Sequence, residues 1–247
     1  MGAEEEKMQN KKLNLHFIGI GGIGVAALAR YFLTVGAKVS GSDATGSEIT
    51  AELEKLGAKI FIGHKAENIT QSDCVIFSVA VRDDNSELVE ARRQGVKTQK
   101  YAEALGELTK EKFTIAISGM HGKSTVTAMI GLILEKAGLD PTIIVGTKVR
   151  WNSQKFSQPL LKEGSSFLPL GMAGEDFSNF RAVKSQYLVI EADEYDRSFL
   201  NYWPKILVLL NIEEEHLDTY KGGLPQIMET FGEYVSVYNF GQSVKDG

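Results

Sequence analysis

Apolar positions along the chain fall into two alternating rhythms. Short runs rich in β-branched residues occupy Leu13 to Ile20, Lys38 to Gly41, Ala58 to Ile62 and Cys74 to Val79. They return at Phe113 to Ile117, Thr142 to Val145, Tyr187 to Ile190 and Ile206 to Leu210. Runs of this length, bounded by turn residues, have the pattern of strands buried on both faces of a parallel sheet. Between them, apolar residues recur with helical spacing over Val25 to Val35, Ser47 to Leu56, Asn85 to Gln94, Tyr101 to Lys112, Val126 to Ala137 and Leu224 to Tyr238. Ser47 suits an N-cap, Gly57 and Gly95 sit where helices stop, and Gly138 with Pro141 ends the helix that begins near Val126. Strand–helix alternation predicts an α/β protein with parallel sheets wrapped by helices.

The pattern breaks near residues 108–112, where a helical segment ends in Lys110-Glu111-Lys112. Residues 13–110 read as a Rossmann-like parallel-sheet domain, and residues 111–247 as a second α/β domain of the P-loop ATPase type. Residues 1–12, polar and carrying Glu4-Glu5-Glu6, read as a disordered tail. The stretch from Gly146 to Lys184 is weakly periodic and rich in Gly, Ser, Asn and Pro, which predicts a long functional or mobile loop. Within it, Asn179-Phe180-Arg181 is the cluster that stands out as a candidate ligand contact.

Composition narrows the class. At 247 residues, with 43% hydrophobic and 24% charged content, the chain has room for one or two globular domains. A net charge of −5 argues against a general nucleic-acid or membrane-surface binder. The polar start lacks the features of a signal peptide, and no apolar run is long enough to span a bilayer, so a reducing cytoplasm is the expected setting. The single cysteine, Cys74, excludes an intramolecular disulfide and reads as a core residue.

Two glycine loops carry the chemistry. The first, Gly19-Ile20-Gly21-Gly22-Ile23-Gly24, follows a strand and opens a helix, which is the context of the dinucleotide fingerprint G-x-G-x-x-G. Ser42-Asp43 ends the next strand, where an acidic ribose ligand is usual. Taken alone, this segment suggests an NAD-dependent dehydrogenase. The strand ends Gly19, Ser42-Asp43, Gly63-His64 and Ser78-Val79-Ala80 are expected on one sheet edge, with His64 either a plain loop histidine or a ligand contact. The second loop is Gly119-Met120-His121-Gly122-Lys123-Ser124-Thr125, again between strand and helix. Loop and first-turn N–H groups would face a phosphate, Lys123 would add a point charge, and the Ser124 or Thr125 hydroxyl could ligate Mg²⁺. Ile117 stands where the full G-x-x-x-x-G-K-[ST] pattern has glycine, so the match is partial. Two later strands end in acid, at Glu191-Ala192-Asp193-Glu194-Tyr195-Asp196 and at Asn211 to Asp218, which includes His216. If those strands are parallel to the one before the second loop, carboxylates and an imidazole stand beside Lys123 and Ser124, as a Mg²⁺ site needs; otherwise they are polar strand termini.

Taken together, these strings resemble the Mur ligases, the ATP-dependent amino-acid ligases of peptidoglycan synthesis. The resemblance rests on His16 to Gly24, Ser40-Gly41-Ser42-Asp43, Gly63-His64, Ile117 to Thr125, Gly138 to Thr142, Glu191 to Glu194, Asn211-Ile212 and His216-Leu217-Asp218, in the family's order. His121 points to the alanine-adding branch and its tripeptide-recycling relative. The resemblance implies that the first loop holds the diphosphate of UDP-N-acetylmuramate, not NAD, through Gly21, Gly22, Ile23 and Gly24, with Ser42 and Asp43 near the uridine. It implies that ATP phosphorylates the lactyl carboxylate and that L-alanine then attacks the acyl phosphate. Lys123 would meet the β/γ-phosphates, Ser124 and Glu191 would ligate one Mg²⁺, and His216 would ligate a second.

The chain departs from the family pattern at several places. Met120 and Ser124 stand where Thr is usual, Glu215 precedes His216 in place of Asp, and Phe231 occupies the position of a lysine that some relatives carbamylate. The family also has further central strands and a third domain, so the chain is expected to be an N-terminal portion that binds the UDP substrate weakly without turning over. An NAD oxidoreductase, a non-catalytic UDP-sugar binder and a tripeptide-recycling ligase are the competing readings.

Overall fold

The computed structural model describes residues 13–150, 177–181, 185–193 and 195–211. The expected tail, the expected helix from Leu224 to Tyr238, and His216 lie outside the described residues. Two five-stranded sheets organise the rest.

The first sheet contains β1 (Asn14–Ile18), β2 (Lys38–Asp43), β3 (Lys59–Ile62), β4 (Cys74–Phe77) and β5 (Lys97–Lys100). Their order is β3-β2-β1-β4-β5, and every pair is parallel. The chain reverses its winding between β1 and β4, and a doubly wound sheet binds ligands outside the strand ends at that switch point. The helices are α1 (Ile23–Thr34), α2 (Glu48–Lys55), α3 (Ser86–Arg93) and α4 (Tyr101–Glu111). Ser47 caps α2 reciprocally with Thr50, and Asn85 caps α3 by accepting from the N–H groups of Glu87 and Leu88. Strand β5 was not anticipated. Its Lys-Thr-Gln-Lys sequence has no apolar signal, because an edge strand held by backbone pairing to β4 has no need of one.

The second sheet contains β6 (Phe113–Ser118), β7 (Thr142–Arg150), β8 (Phe177–Arg181), β9 (Tyr187–Glu191) and β10 (Ile206–Leu209), in the order β10-β6-β9-β7-β8, with α5 (Lys123–Lys136) following β6. Strands β6, β7, β9 and β10 are parallel, whereas β8 runs antiparallel to β7. This corrects the expectation of one loop from Gly146 to Lys184: β7 continues to Arg150, and Asn179, Phe180 and Arg181 belong to β8. Neither Gly146 to Arg150 nor Phe177 to Arg181 alternates apolar and polar residues, so the sequence carried no strand period there, and the pairing of β8 with β7 is what defines them as strands.

Helix α1 joins the halves. Its Val25, Leu28 and Ala29 share one buried cluster with Ala116, Ile144, Leu188 and Ile190 of the second sheet. A helix covered on two sides must be apolar most of the way round, and its alanines permit close approach. Further ties are the Lys112 ammonium donating to the Ser185 carbonyl (2.6 Å) and the Trp203 N–H donating to the Thr109 hydroxyl (2.9 Å). Among the described residues, no helix is long and apolar enough to cross a membrane.

Candidate functional site

The first loop turns at Gly19, whose φ of 77° lies in the left-handed region that glycine tolerates. The N–H groups of Gly19 and Ile20 both donate to the Ser42 carbonyl (2.8 and 3.0 Å), which ties the turn to the end of β2. The Gly21 N–H donates to Asp43 Oδ2 at 2.8 Å. Asp43 therefore also braces the glycine turn, and the Gly21 amide is engaged by it. The Gly22 N–H donates to the Gly19 carbonyl (3.1 Å), and the first turn of α1 that follows is a helix N-terminus of the kind that suits an anion.

A cleft of about 610 Å³ opens here, lined among others by Gly19, Gly21, Gly22, Asp43, Ser47, His64, Ser78, Arg82 and Asn85. It brings together the four strand ends expected on one edge. Other expected residues fall elsewhere. Ser42 is fully buried beneath the cleft and its hydroxyl donates to Glu87 at 2.5 Å, so it supports the cleft wall without lining it. A Cβ at Gly24 would lie 3.0 Å from the Tyr101 ring, so Gly24 serves the packing of α1 against α4.

Arg181 is a clear correction. It is buried in β8, where its guanidinium pairs with Asp140, donates to the Pro141 carbonyl at 3.0 Å and lies 3.7 Å from Glu135. A buried cation needs such partners, and these sit where β7 begins, at the sheet edge opposite the phosphate loop. Arg181 and its neighbour Asn179 are thus placed away from both glycine loops. Arg82 and Asn85 were missed from the sequence; their signal was position alone, in the turn after the switch-point strand β4.

The second loop leaves β6 through Gly119 (φ 134°) and enters α5 at Gly122 (φ 85°). The Lys123 ammonium folds back and donates to the Gly119 carbonyl at 2.6 Å. Register sets what lies beside it: Glu191 ends β9 opposite Ile117, and Leu209 of β10 pairs with Ser118. Asn211, just after β10, grips the loop by both edges of one residue. Its Oδ1 accepts from the His121 N–H and its Nδ2 donates to the His121 carbonyl, both at 2.9 Å. Removing this grip should loosen the loop before any nucleotide arrives. Asn211→Ala is expected to weaken the affinity of this loop for a Mg²⁺–nucleoside triphosphate probe roughly tenfold, about one to two hydrogen bonds' worth, as read by calorimetry.

Glu191 is half-buried and accepts from the Ser124 hydroxyl and the Gly146 N–H, while its Oε1 is buried with no hydrogen-bond partner among the described residues. Burial pushes its carboxyl up, and the nearby Lys123 ammonium partly offsets that. An orphaned carboxylate oxygen next to a hydroxyl is a donor set of the hard type that Mg²⁺ takes, so the residues fit that ion. Met120 is buried, and His121 and Thr125 are exposed around the loop.

Tyr101 stands between the two loops. Its ring meets Gly24 at the start of α1, and its hydroxyl feels the charges of Glu191 and Asp193. Burial, reinforced by those carboxylates, pushes the phenol well above its ordinary value. Tyr101 thus contacts the helix that follows the first loop and feels the carboxylates beside the second.

Comparison with known proteins identifies the family. A profile described as "Mur ligase family, catalytic domain" matches residues 14–113, and one described as "Mur ligase middle domain" matches residues 117–242. The chain is similar to the UDP-N-acetylmuramate–L-alanine ligase of Pelobacter propionicus, 44% identical over 233 residues that cover 94% of this chain and 45% of the relative. The ligase of the same description from Geobacter sulfurreducens is 42% identical, with the same coverage of each. The chain thus spans about 45% of the length of these curated relatives. Among solved structures, the UDP-N-acetylmuramate-alanine ligase of Thermotoga maritima superposes with a TM-score of 0.73 at 32% identity, covering 89% of this chain and 46% of that one. The UDP-N-acetylmuramate:L-alanyl-γ-D-glutamyl-meso-diaminopimelate ligase of Neisseria meningitides follows at 0.68 and 25%, covering 90% and 67%.

Proposed function

The chain belongs to the Mur ligase family, and from that premise we propose that it carries the two nucleotide sites of an ATP-dependent ligase joining the lactyl carboxylate of UDP-N-acetylmuramate to L-alanine. The observation that carries this reading is the orphaned Oε1 of Glu191 beside Ser124 at a phosphate loop, in a chain whose other glycine loop opens on its own cleft. An NAD enzyme would leave the second loop and its carboxylate without a task.

The chemistry explains why two sites are needed. A carboxylate is a poor electrophile. Transfer of the ATP γ-phosphoryl group to one carboxylate oxygen, with ADP leaving, makes an acyl phosphate. The alanine amine then attacks the acyl carbon, inorganic phosphate departs, the amine proton is lost and an amide remains. The protein's share is positioning and charge neutralisation. Lys123 and the first-turn N–H groups of α5 would hold the β/γ-phosphates, once Nζ exchanges the Gly119 carbonyl for a phosphate oxygen. Ser124 and Glu191 would hold Mg²⁺, and His216 is proposed as a ligand of a second ion; a bound divalent ion would supply charge neutralisation for the phosphoryl transfer. In the first cleft, Gly22 and Ile23 in the α1 turn would meet the diphosphate, with Asp43 and His64 toward the nucleoside.

Calorimetry on this chain tests the division. UDP-N-acetylmuramate and a non-hydrolysable ATP analogue with Mg²⁺ should each bind, and saturating one should leave the other able to bind. Mutual exclusion, or NAD binding in place of UDP-N-acetylmuramate, would overturn the reading.

A further inference from the structure

The first cleft has a charged floor. Glu87 of α3 is fully buried. Its Oε2 accepts from the Ser42 hydroxyl (2.5 Å) and faces His64 Nδ1 (3.0 Å), which also lies 2.9 Å from the Ser42 oxygen; with its proton given to Glu87, that oxygen can only accept from Nδ1. The Glu87 Oε1 accepts from Asn68 Nδ2 (2.6 Å) and lies 3.6 Å from His16 Nε2. Burial pushes the carboxyl up, but the polar groups of His16, Ser42, Asn68 and His64 outweigh it and hold the carboxyl below its ordinary value. The group is therefore a carboxylate, able only to accept. Three of its partners are buried residues that tie β1, β2 and the turn at Asn68 together. The fourth is different: the His64 side chain is 26% exposed and its ring lines the cleft.

A neutral imidazole has one N–H, and a carboxylate facing Nδ1 places it there. Nε2, on the far edge of the ring, then carries a lone pair. We propose that Glu87 is a positioning residue that locks His64 in its Nδ1-protonated form, so that Nε2 offers an acceptor to the base of the bound nucleotide. The ring would then favour a base with a ring N–H, as uracil has at N3, over one with a ring acceptor, as cytosine has. Asp43 adds a second acceptor to the same cleft wall. The inference rests on reading the first cleft as a nucleoside diphosphate site.

Glu87→Gln separates positioning from mere support, because it preserves shape and changes only which atoms donate. An amide NH₂ at the Oε1 position would point at the Asn68 Nδ2 donor, which also donates to the Gly63 carbonyl at 3.1 Å. The NH₂ is therefore better placed toward Ser42 and His64: the Ser42 oxygen accepts from it and the hydroxyl proton, released from Glu87, turns to His64 Nδ1, so that Nδ1 faces two donors and the imidazole proton moves to Nε2. In the variant His64 becomes a donor to the base.

The experiment uses the 247-residue chain, with UDP and CDP as probes in calorimetry and nitrogen NMR of the imidazole. In its neutral form, His64 of the wild type should show a protonated Nδ1 and a bare Nε2, the signal being assigned by its loss in His64→Gln. Glu87→Gln should lower the preference for UDP over CDP by roughly tenfold or more, as expected when one matched hydrogen bond becomes a donor facing a donor. A wild-type His64 protonated on Nε2 overturns the proposal without any variant. A folded Glu87→Gln chain with an unchanged UDP-to-CDP ratio also overturns it, while wild-type binding of UDP leaves the reading of the cleft standing. Failure of the wild type to bind UDP or UDP-N-acetylmuramate removes both.

Discussion

Lys123→Ala should cost this chain thirtyfold or more in affinity for Mg²⁺ and an ATP analogue while leaving UDP-N-acetylmuramate binding within about twofold. The ammonium lies at the start of α5, directly after the left-handed Gly122, and rests on the Gly119 carbonyl of its own loop. In that position it spans the space a phosphate would enter. Removing one partner of a hydrogen-bonded charge pair costs about 2–5 kcal/mol, and the lower end of that range is already a factor of roughly thirty. The fold should not suffer, because Lys123 is half-exposed and its hydrogen bond to the Gly119 carbonyl lies within its own loop, away from the core of the sheet. UDP-N-acetylmuramate binding is the internal control. If both ligands are lost while the melting temperature is unchanged, the assignment of one nucleotide to each loop is wrong.

Gly41→Ala should destabilise the chain by about 1–3 kcal/mol, as overpacking of a tight core does, and lower the melting temperature by roughly 3–10 °C. Gly41 sits in β2 beside the turn of the first loop. An added Cβ would lie 2.5 Å from Ile20 Cδ1, 2.9 Å from Ile20 Cβ and 2.7 Å from the Phe17 carbonyl oxygen. None of these can retreat easily: Ile20 is fully buried, and the Phe17 carbonyl is part of β1 at the sheet centre. The displaced Ile20 would carry the glycine turn with it, since the Ile20 N–H is bonded to the Ser42 carbonyl. UDP affinity should therefore fall alongside stability. Gly46→Ala is the control, because its Cβ would meet only Ile62 Cδ1 at 3.8 Å, and it should change stability by no more than about 0.5 kcal/mol. Equal melting temperatures for the two variants would show that the close approach at Gly41 is not what shapes the loop.

Much of this architecture was legible along the chain. Buried parallel strands must be nearly all apolar, so β1, β4, β6 and β9 announced themselves, and each helix stop at Gly57 and Gly95 showed the left-handed glycine expected there. The strands that escaped notice or lay hidden, β5 and β8, sit at sheet edges where polar residues suffice. The phosphate loop was legible because its chemistry is local: the glycines, Lys123 and Ser124 are neighbours in sequence. Asn211 was visible only as part of a string, since nothing in sequence places it against His121 ninety residues away.

The sequence by itself determined the two strand–loop–helix units, their order and the residues able to meet a phosphate, because periodicity and turn chemistry act over a few residues. Tertiary structure alone decided which of those residues face a ligand. It turned Arg181 into a buried partner of Asp140, set Ser42 beneath the first cleft, and gave Gly24 to packing against Tyr101. It also gathered His16, Ser42, His64 and Asn68 around the carboxylate of Glu87. The reason is physical: a buried charge requires several partners at once, and only the folded sheet edge brings two strands, the turn after β3 and a helix together around it.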